Sequence, residues 1–155
     1  EVPVVRLHQA LRRDWPGEAE ALAGKAGRRT GDYILAHRIP RPAARLLALL
    51  PTPLAGRLLA RAIARHAWTF AGSGRFRVVG YRPLSFEIED NPLVRGETSP
   101  TPLCAWHAQV FERLYRVLVA DDYRATETSC GAVGGAACCF VLARTGGPGP
   151  AAAPV

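Results

Sequence analysis

Three residues that bind metals well crowd into one short stretch: Glu127, Cys130 and Cys138, within T-E-T-S-C-G-A-V-G-G-A-A-C-C-F. Gly131, Gly134 and Gly135 lie between the two cysteines and let a short knuckle fold back, so that the thiols approach each other. Cys104 falls near the first turn of a predicted helix, where the dipole favours a thiolate. Three thiolates and one carboxylate would complete a tetrahedral zinc shell, a closed structural site with no open position for chemistry. Cys138 and Cys139 are neighbours in a predicted strand and point to opposite faces, so only one can join. Cys138 is the better choice, because Phe140 and Leu142 share its face. Spacing alone leaves a second reading open at similar weight. C-x7-C is not a standard zinc spacing, and small buried cysteines also serve as plain core residues.

The rest of the chain must position this set. At 155 residues it is long enough for one domain with a real core, and 48% hydrophobic residues exclude a disordered chain. The longest weakly polar run, between Arg45 and Arg57, is interrupted by Pro51 and Pro53, and a membrane-spanning helix needs about 20 apolar residues. No signal-peptide pattern opens the chain, and Met is absent altogether, so the expectation is a cytoplasmic protein whose numbering lacks an initiator. In that compartment four cysteines point to metal or core, not to disulfides. The net charge of +7 rests on arginine, with Lys25 the only lysine. No recognition-helix, zinc-finger or RNA-binding signature accompanies it, which argues against nucleic acid.

Periodicity predicts helices over Gly17–His37, Arg41–Leu50 and Pro53–Trp68, each punctuated by proline. Residues 1–15 read as mixed, ending at Trp15-Pro16. After the turn Gly72-Ser73-Gly74 the period changes to two. Phe76 and Val78, then Phe86 and Ile88, alternate with charged residues in a predicted antiparallel hairpin. A loop over 90–102 leads to a long helix from Pro102, with His107, Val110, Phe111, Leu114 and Leu118 on one face. Tyr123–Thr128 and Ala136–Ala143 are a last strand pair. The order ααα-ββ-α-ββ lacks βαβ alternation and implies α+β, an antiparallel four-stranded sheet backed by helices. One domain spans 1–144, and 145–155 is a flexible tail of Gly, Pro and Ala.

The stretch N-P-L-V-R-G through C-A-W-H, then F-E-R-L, T-E-T-S-C and C-C-F, resembles the 4-vinyl-reductase domain family, which includes ligand-sensing domains of bacterial transcription activators that respond to aromatic compounds. The resemblance implies zinc ligands Cys, Glu, Cys and Cys at successive separations of 23, 3 and 8, which Cys104, Glu127, Cys130 and Cys138 reproduce. In this family the zinc shapes the pocket and is not catalytic. Upstream, R-R-T-G-D-Y-I-L-A-H-R-I-P and A-I-A-R-H-A-W-T-F-A-G-S-G-R-F resemble the branch of the family in bacteriochlorophyll biosynthesis, so that the likeness covers residues 18–143. It implies handling of divinyl protochlorophyllide or a near relative, a fold shared with small subunits of vesicle-tethering complexes, and pairing as a homodimer. A place at the periphery of the photosynthetic membrane would fit that pathway.

Reducing a vinyl group needs an electron or hydride donor. No G-x-G-x-x-G follows a predicted strand, and an iron–sulfur cluster would compete for the same cysteines. The chain reads as equipped to bind a tetrapyrrole, not to reduce one alone. An 8-vinyl reductase drawing on an external donor and a stand-alone small-molecule sensor are the alternatives. For the pocket the candidates are His66, Trp68, Phe70, Phe76, Trp106 and His107. Rings offer flat area to a macrocycle, and a neutral imidazole could ligate its magnesium. The plainer roles are helix capping for His66 and core packing for the others.

Overall fold

A computed structural model describes residues 1–146; the side chains of Thr69 and Phe70 and everything from residue 147 onward lie outside the described residues. The predicted Phe70 contact and most of the predicted tail fall there. The elements run α1 (Val2–Asp14), α2 (Ala19–His37), α3 (Arg41–Leu49), α4 (Thr52–Arg65), α5 (Trp68–Ala71), β1 (Arg75–Tyr81) and β2 (Leu84–Glu89). Then follow α6 (Ala105–Leu118), β3 (Tyr123–Ser129), a 3-10 turn (Gly131–Val133) and β4 (Cys138–Arg144). The four strands form one antiparallel sheet in the order β1-β2-β4-β3, and the class is the expected α+β.

Three local differences from the periodicity have physical reasons. Residues 2–14 form a helix that no apolar stripe announces, since Val2, Val4 and Leu7 are exposed. Its ends are tied down instead by polar contacts. Glu1 accepts hydrogen bonds from Ser73 N and Oγ, and Arg12 Nη2 donates to Leu93 O at 2.8 Å. The predicted third helix stops at Arg65, and Trp68 opens a separate short turn. The long helix begins at Ala105, not at Pro102. Cys104 takes a non-helical conformation as its N-cap residue, and its N–H is held by Glu127.

Strand alternation sends Phe86, Ile88, Cys138, Phe140 and Leu142 to one face of the sheet, against α6. There Phe86 and Phe140 meet Phe111 at ring-centroid separations of 5.1 and 5.3 Å, in edge-to-face pairs. Tyr115, fully buried, donates from its hydroxyl to Gly56 O at 2.8 Å and so ties α6 to α4. Behind α6 lies α2, whose buried positions Ala19, Ala23, Gly27 and Gly31 recur every fourth residue as a ridge of small side chains. A β-carbon at Gly27 would collide with the backbone of Trp106, and one at Gly31 would lie 2.8 Å from Arg113 Cβ, so the two helices approach closely because both positions are glycine. On the opposite face of the sheet Arg75 and Arg77 pair with Glu87 and Glu89 in solvent. Among the described residues no helix is long and apolar enough to cross a membrane.

Candidate metal centre

Three pieces of chain converge at one end of the sheet. Cys104 comes from the start of α6, Glu127 and Cys130 from β3 and its exit, and Cys138 from the first residue of β4. Glu127 faces inward with Tyr123 and Ala125, and a register shift between Glu127 and Ser129 lets the chain leave β3 toward Cys130. The knuckle then closes. Val133 N and Gly135 N both donate to Cys130 O at 3.0 Å, and Gly134 turns the chain at a left-handed φ of 90°. Ser129 Oγ adds a bond to Ala137 O at 3.1 Å, which holds residues 134–137 in the turn and starts β4 at Cys138 rather than at Ala136.

The result places one ligand atom each from Cys104, Glu127, Cys130 and Cys138 within 4.8 Å of one another. Cys104 Sγ lies 3.4 Å from Cys138 Sγ and 4.0 Å from Cys130 Sγ. Thiolates 2.3 Å from a tetrahedral zinc would stand about 3.8 Å apart, between these two separations. Glu127 Oε2 accepts the Cys104 N–H at 2.8 Å, while Oε1 is buried without a hydrogen-bond partner. A buried carboxyl oxygen without a hydrogen-bond partner beside three buried sulfurs is a donor set that could hold a cation. Cys139 points the other way, its Sγ 3.9 Å from Glu87 Oε2 on the outer face.

The four side chains hold their protons unequally. Hydrogen bonds with Cys130 and Cys138, then burial, push the Cys104 thiol far above its ordinary range. The same thiols, Cys104 first, stabilise Cys138 as a thiolate and bring it down to about 3. Burial raises Glu127 to about 8 against the opposing pull of the Cys104 N–H. The sequence reading missed the residue that supports this cluster, Asn91. It is 4% exposed, donates from Nδ2 to Cys104 Sγ at 3.3 Å, and accepts Leu93 N on Oδ1 at 3.1 Å. Leu93 O in turn accepts Arg12, so α1 is connected to the cysteine cluster through a chain of hydrogen bonds. The Asn-Pro pair opening N-P-L-V-R-G was the available signal.

Five of the ring residues proposed for a ligand pocket, His66, Trp68, Phe76, Trp106 and His107, do not gather in one place; the side chain of the sixth, Phe70, lies outside the described residues. Phe76 sits 5.2 Å from the Phe86 ring and 5.9 Å from Phe111, inside the aromatic core. His107 is fully buried between Phe111 and Phe140, and Trp106 lies edge-on to it and to His8 near α1. Inward alternation on β1 and the central face of α6 put these side chains in the core. His66 and Trp68 stand apart from them and line a cleft of about 400 Å³ together with Tyr33, Ile34, Arg38 and Ile63. His66 is also the C-cap residue of α4, its backbone N–H donating to Ala62 O and Ile63 O. The α2 side of this cleft was not legible as a pocket in the sequence, since Tyr33 and Ile34 read equally well as core positions.

Residues 84–144, from β2 through β4 and including all four members of the cysteine and glutamate cluster, match the V4R domain family. Over 142 residues the chain is 58% identical to the bacteriochlorophyll synthase 23 kDa chain of Cereibacter sphaeroides, covering 92% of this chain and 69% of that protein. The chain belongs to the V4R-domain family. A second protein of the same name, from Rhodobacter capsulatus, is 54% identical over 136 residues, covering 88% of this chain and 63% of its own length. The V4R chain therefore spans about two thirds of the relatives it matches. The phenol-responsive sensory domain of the transcription activator PoxR, solved with phenol, superposes with a TM-score of 0.60 over 90% of this chain and 72% of that one. At 14% identity that likeness concerns the V4R fold alone.

Proposed function

We propose that this V4R protein acts in bacteriochlorophyll biosynthesis as a zinc-containing carrier that binds a magnesium tetrapyrrole, such as divinyl protochlorophyllide, and presents it to another enzyme of the pathway. The observation that carries the pathway assignment is the 58% identity, over 92% of the chain, to a protein named for bacteriochlorophyll synthase. Zinc at Cys104, Glu127, Cys130 and Cys138 is supported by the unsatisfied Glu127 oxygen among three buried sulfurs. With all four positions taken by protein ligands, the ion would fasten α6 to the β3–β4 knuckle and leave no open site for substrate.

The cleft at α2, α4 and α5 supports the ligand reading. Its volume of about 400 Å³ falls in the range of small-molecule sites, about 300–1,000 Å³. Ile34, Leu59, Ile63 and Leu114 give it apolar walls, and Tyr33 and Trp68 stand exposed beside it. Flat rings would cover one face of a macrocycle, His66 would offer a nitrogen to its magnesium, and Arg38 would meet a propionate.

The test is an absorption titration of the purified protein with divinyl protochlorophyllide. A saturable band shift at one pigment per chain is expected, and an unchanged spectrum would overturn the carrier reading. In the same cuvette NADPH should yield no monovinyl product, whereas stoichiometric conversion would make the chain a reductase.

A further inference from the structure

Charge is distributed unevenly along this chain. From Tyr33 to Phe86, 54 consecutive residues contain nine arginines and not one Asp or Glu. The whole chain carries +7, so the remainder, taken together, is slightly acidic. The span holds the end of α2 and all of α3, α4, α5 and β1. Within it Arg75 and Arg77 are paired with Glu87, Glu89 and Asp90, and Arg57 lies over the Tyr81 ring at 5.7 Å. Among the described residues Arg38, Arg41, Arg45, Arg61, Arg65 and Arg82 form no ion pair.

Apolar side chains accompany these charges in the open. Helix α3 has no buried residue: Ala44 and Leu47 lean on the core, while Leu46 and Leu49 are 55% and 84% exposed. Leu46 and Leu49 are three residues apart, and Arg41, Arg45 and Leu49 follow at steps of four, so guanidinium groups flank an apolar ridge. Pro51 joins this helix directly to α4. There Leu54 is 45% exposed, and Arg57, Arg61 and Arg65 repeat every fourth residue along the exposed side. Trp68, which opens α5, is 70% exposed.

An acidic protein surface would satisfy the arginines but leave the leucine tips in water. A bilayer containing anionic lipid satisfies both, with headgroups for the guanidinium groups and an apolar layer for the ridge. We infer that the α3–α4 pair, with Trp68 beside it, is a docking surface for an anionic lipid bilayer. Leu46, Leu49 and Leu54 enter the interface, Trp68 sits at headgroup level, and Arg41, Arg45, Arg61 and Arg65, the arginines of α3 and α4 without an ion pair, contact phosphates. This rests on neither the metal nor the pigment reading, and failure of either leaves it standing.

The experiment is cosedimentation of the purified protein with vesicles of phosphatidylglycerol and phosphatidylcholine in equal parts, against vesicles of phosphatidylcholine alone. Binding to the first and not the second is expected, with a blue shift of tryptophan emission that Trp68→Phe removes. An arginine near an anionic membrane strengthens binding about fivefold, so Arg41→Gln with Arg45→Gln should weaken it about 25-fold. Leu46→Ser with Leu49→Ser should also weaken it, in a manner less relieved by salt. Arg28→Gln with Arg29→Gln removes the same charge outside the span and should change it little. Circular dichroism should remain unaltered in all of these, since the side chains are exposed. Absence of binding, equal binding to neutral vesicles, or an equal loss in the Arg28/Arg29 variant would each overturn the inference. So would a dimer, seen by light scattering, that the Leu46/Leu49 variant dissociates and that fails to bind vesicles.

Discussion

Removing the metal should convert a fastened core into a frustrated one, and the size of the effect follows from the geometry. In the metal-free pocket Glu127 Oε1 is buried without a partner, and leaving such an atom unsatisfied costs about 1–3 kcal/mol. A ligand held only by the folded state, at a free concentration 1,000 times its Kd, adds about 4 kcal/mol of stability. For a chain of 155 residues each kcal/mol moves Tm by about 2–4 °C, so a strong chelator should lower Tm by about 8–16 °C. Cys138→Ala, which deletes a sulfur that is 1% exposed, should start at the chelated Tm and be insensitive to chelator. Cys139→Ala should keep the full chelator response, because that sulfur lies on the other face against Glu87. The assays are metal analysis of purified protein and thermal unfolding with and without chelator. Wild-type protein without zinc, or a Cys139→Ala variant that loses metal as Cys138→Ala does, would refute the reasoning.

Zinc affinity should rise with pH by at least about two decades per unit below pH 8. The Cys104 thiol and the Glu127 carboxyl, the latter raised to about 8, must both give up protons to the metal, while Cys138 at about 3 already has. Competition with a chelator at several pH values measures this, and a flat profile would contradict it. Gly27→Ala should destabilise by about 1–3 kcal/mol in urea unfolding, since its β-carbon meets the Trp106 backbone. Gly24→Ala, whose β-carbon meets only Gln109 Cγ at 3.4 Å, should be neutral or mildly stabilising through helix propensity. If His66 ligates the pigment's magnesium, His66→Ala should shift the bound absorption bands and weaken magnesium pigment more than metal-free pigment. Equal effects on both would leave His66 as the end of α4 and nothing more.

Elements with one buried face were legible because burial imposes a period. The alternation of Phe86 and Ile88 and the α6 face from His107 to Leu118 carry it. In the sequence α2 is marked instead by its helix formers, with Leu22, Tyr33, Ile34 and Leu35 as apolar positions. Its buried ridge of Ala19, Ala23, Gly27 and Gly31 has side chains too small to announce a face. Helix α1 was not legible, since its attachment is polar and lies with Glu1 and Arg12, which no hydrophobic pattern marks. Spacing left the cysteine set open to a plain core reading, and the family resemblance singled it out; the fold brings those four residues together. Asn91 was marked only by its place in N-P-L-V-R-G, and its role was not legible because it depends on a fold that brings residue 91 against residue 104. Aromatic residues were the weakest guide. In the sequence Phe76 and His107 offer the same ring chemistry as Trp68, and only the packing distinguishes a core face from a cleft wall.

If the four residues hold a metal as proposed, their unequal distances along the chain set an order of assembly. Glu127, Cys130 and Cys138 lie within one knuckle, whereas Cys104 is 23 residues upstream of the first of them. Bringing the ends of a short loop together costs less chain entropy than closing a long one. An ion met by the unfolded chain would therefore be taken first by the knuckle, as a three-ligand site with one position still exchanging with water. It would close only when α6 lies down on the sheet and delivers Cys104. In a cell, the period between those two events would be when the wrong metal can enter and still leave.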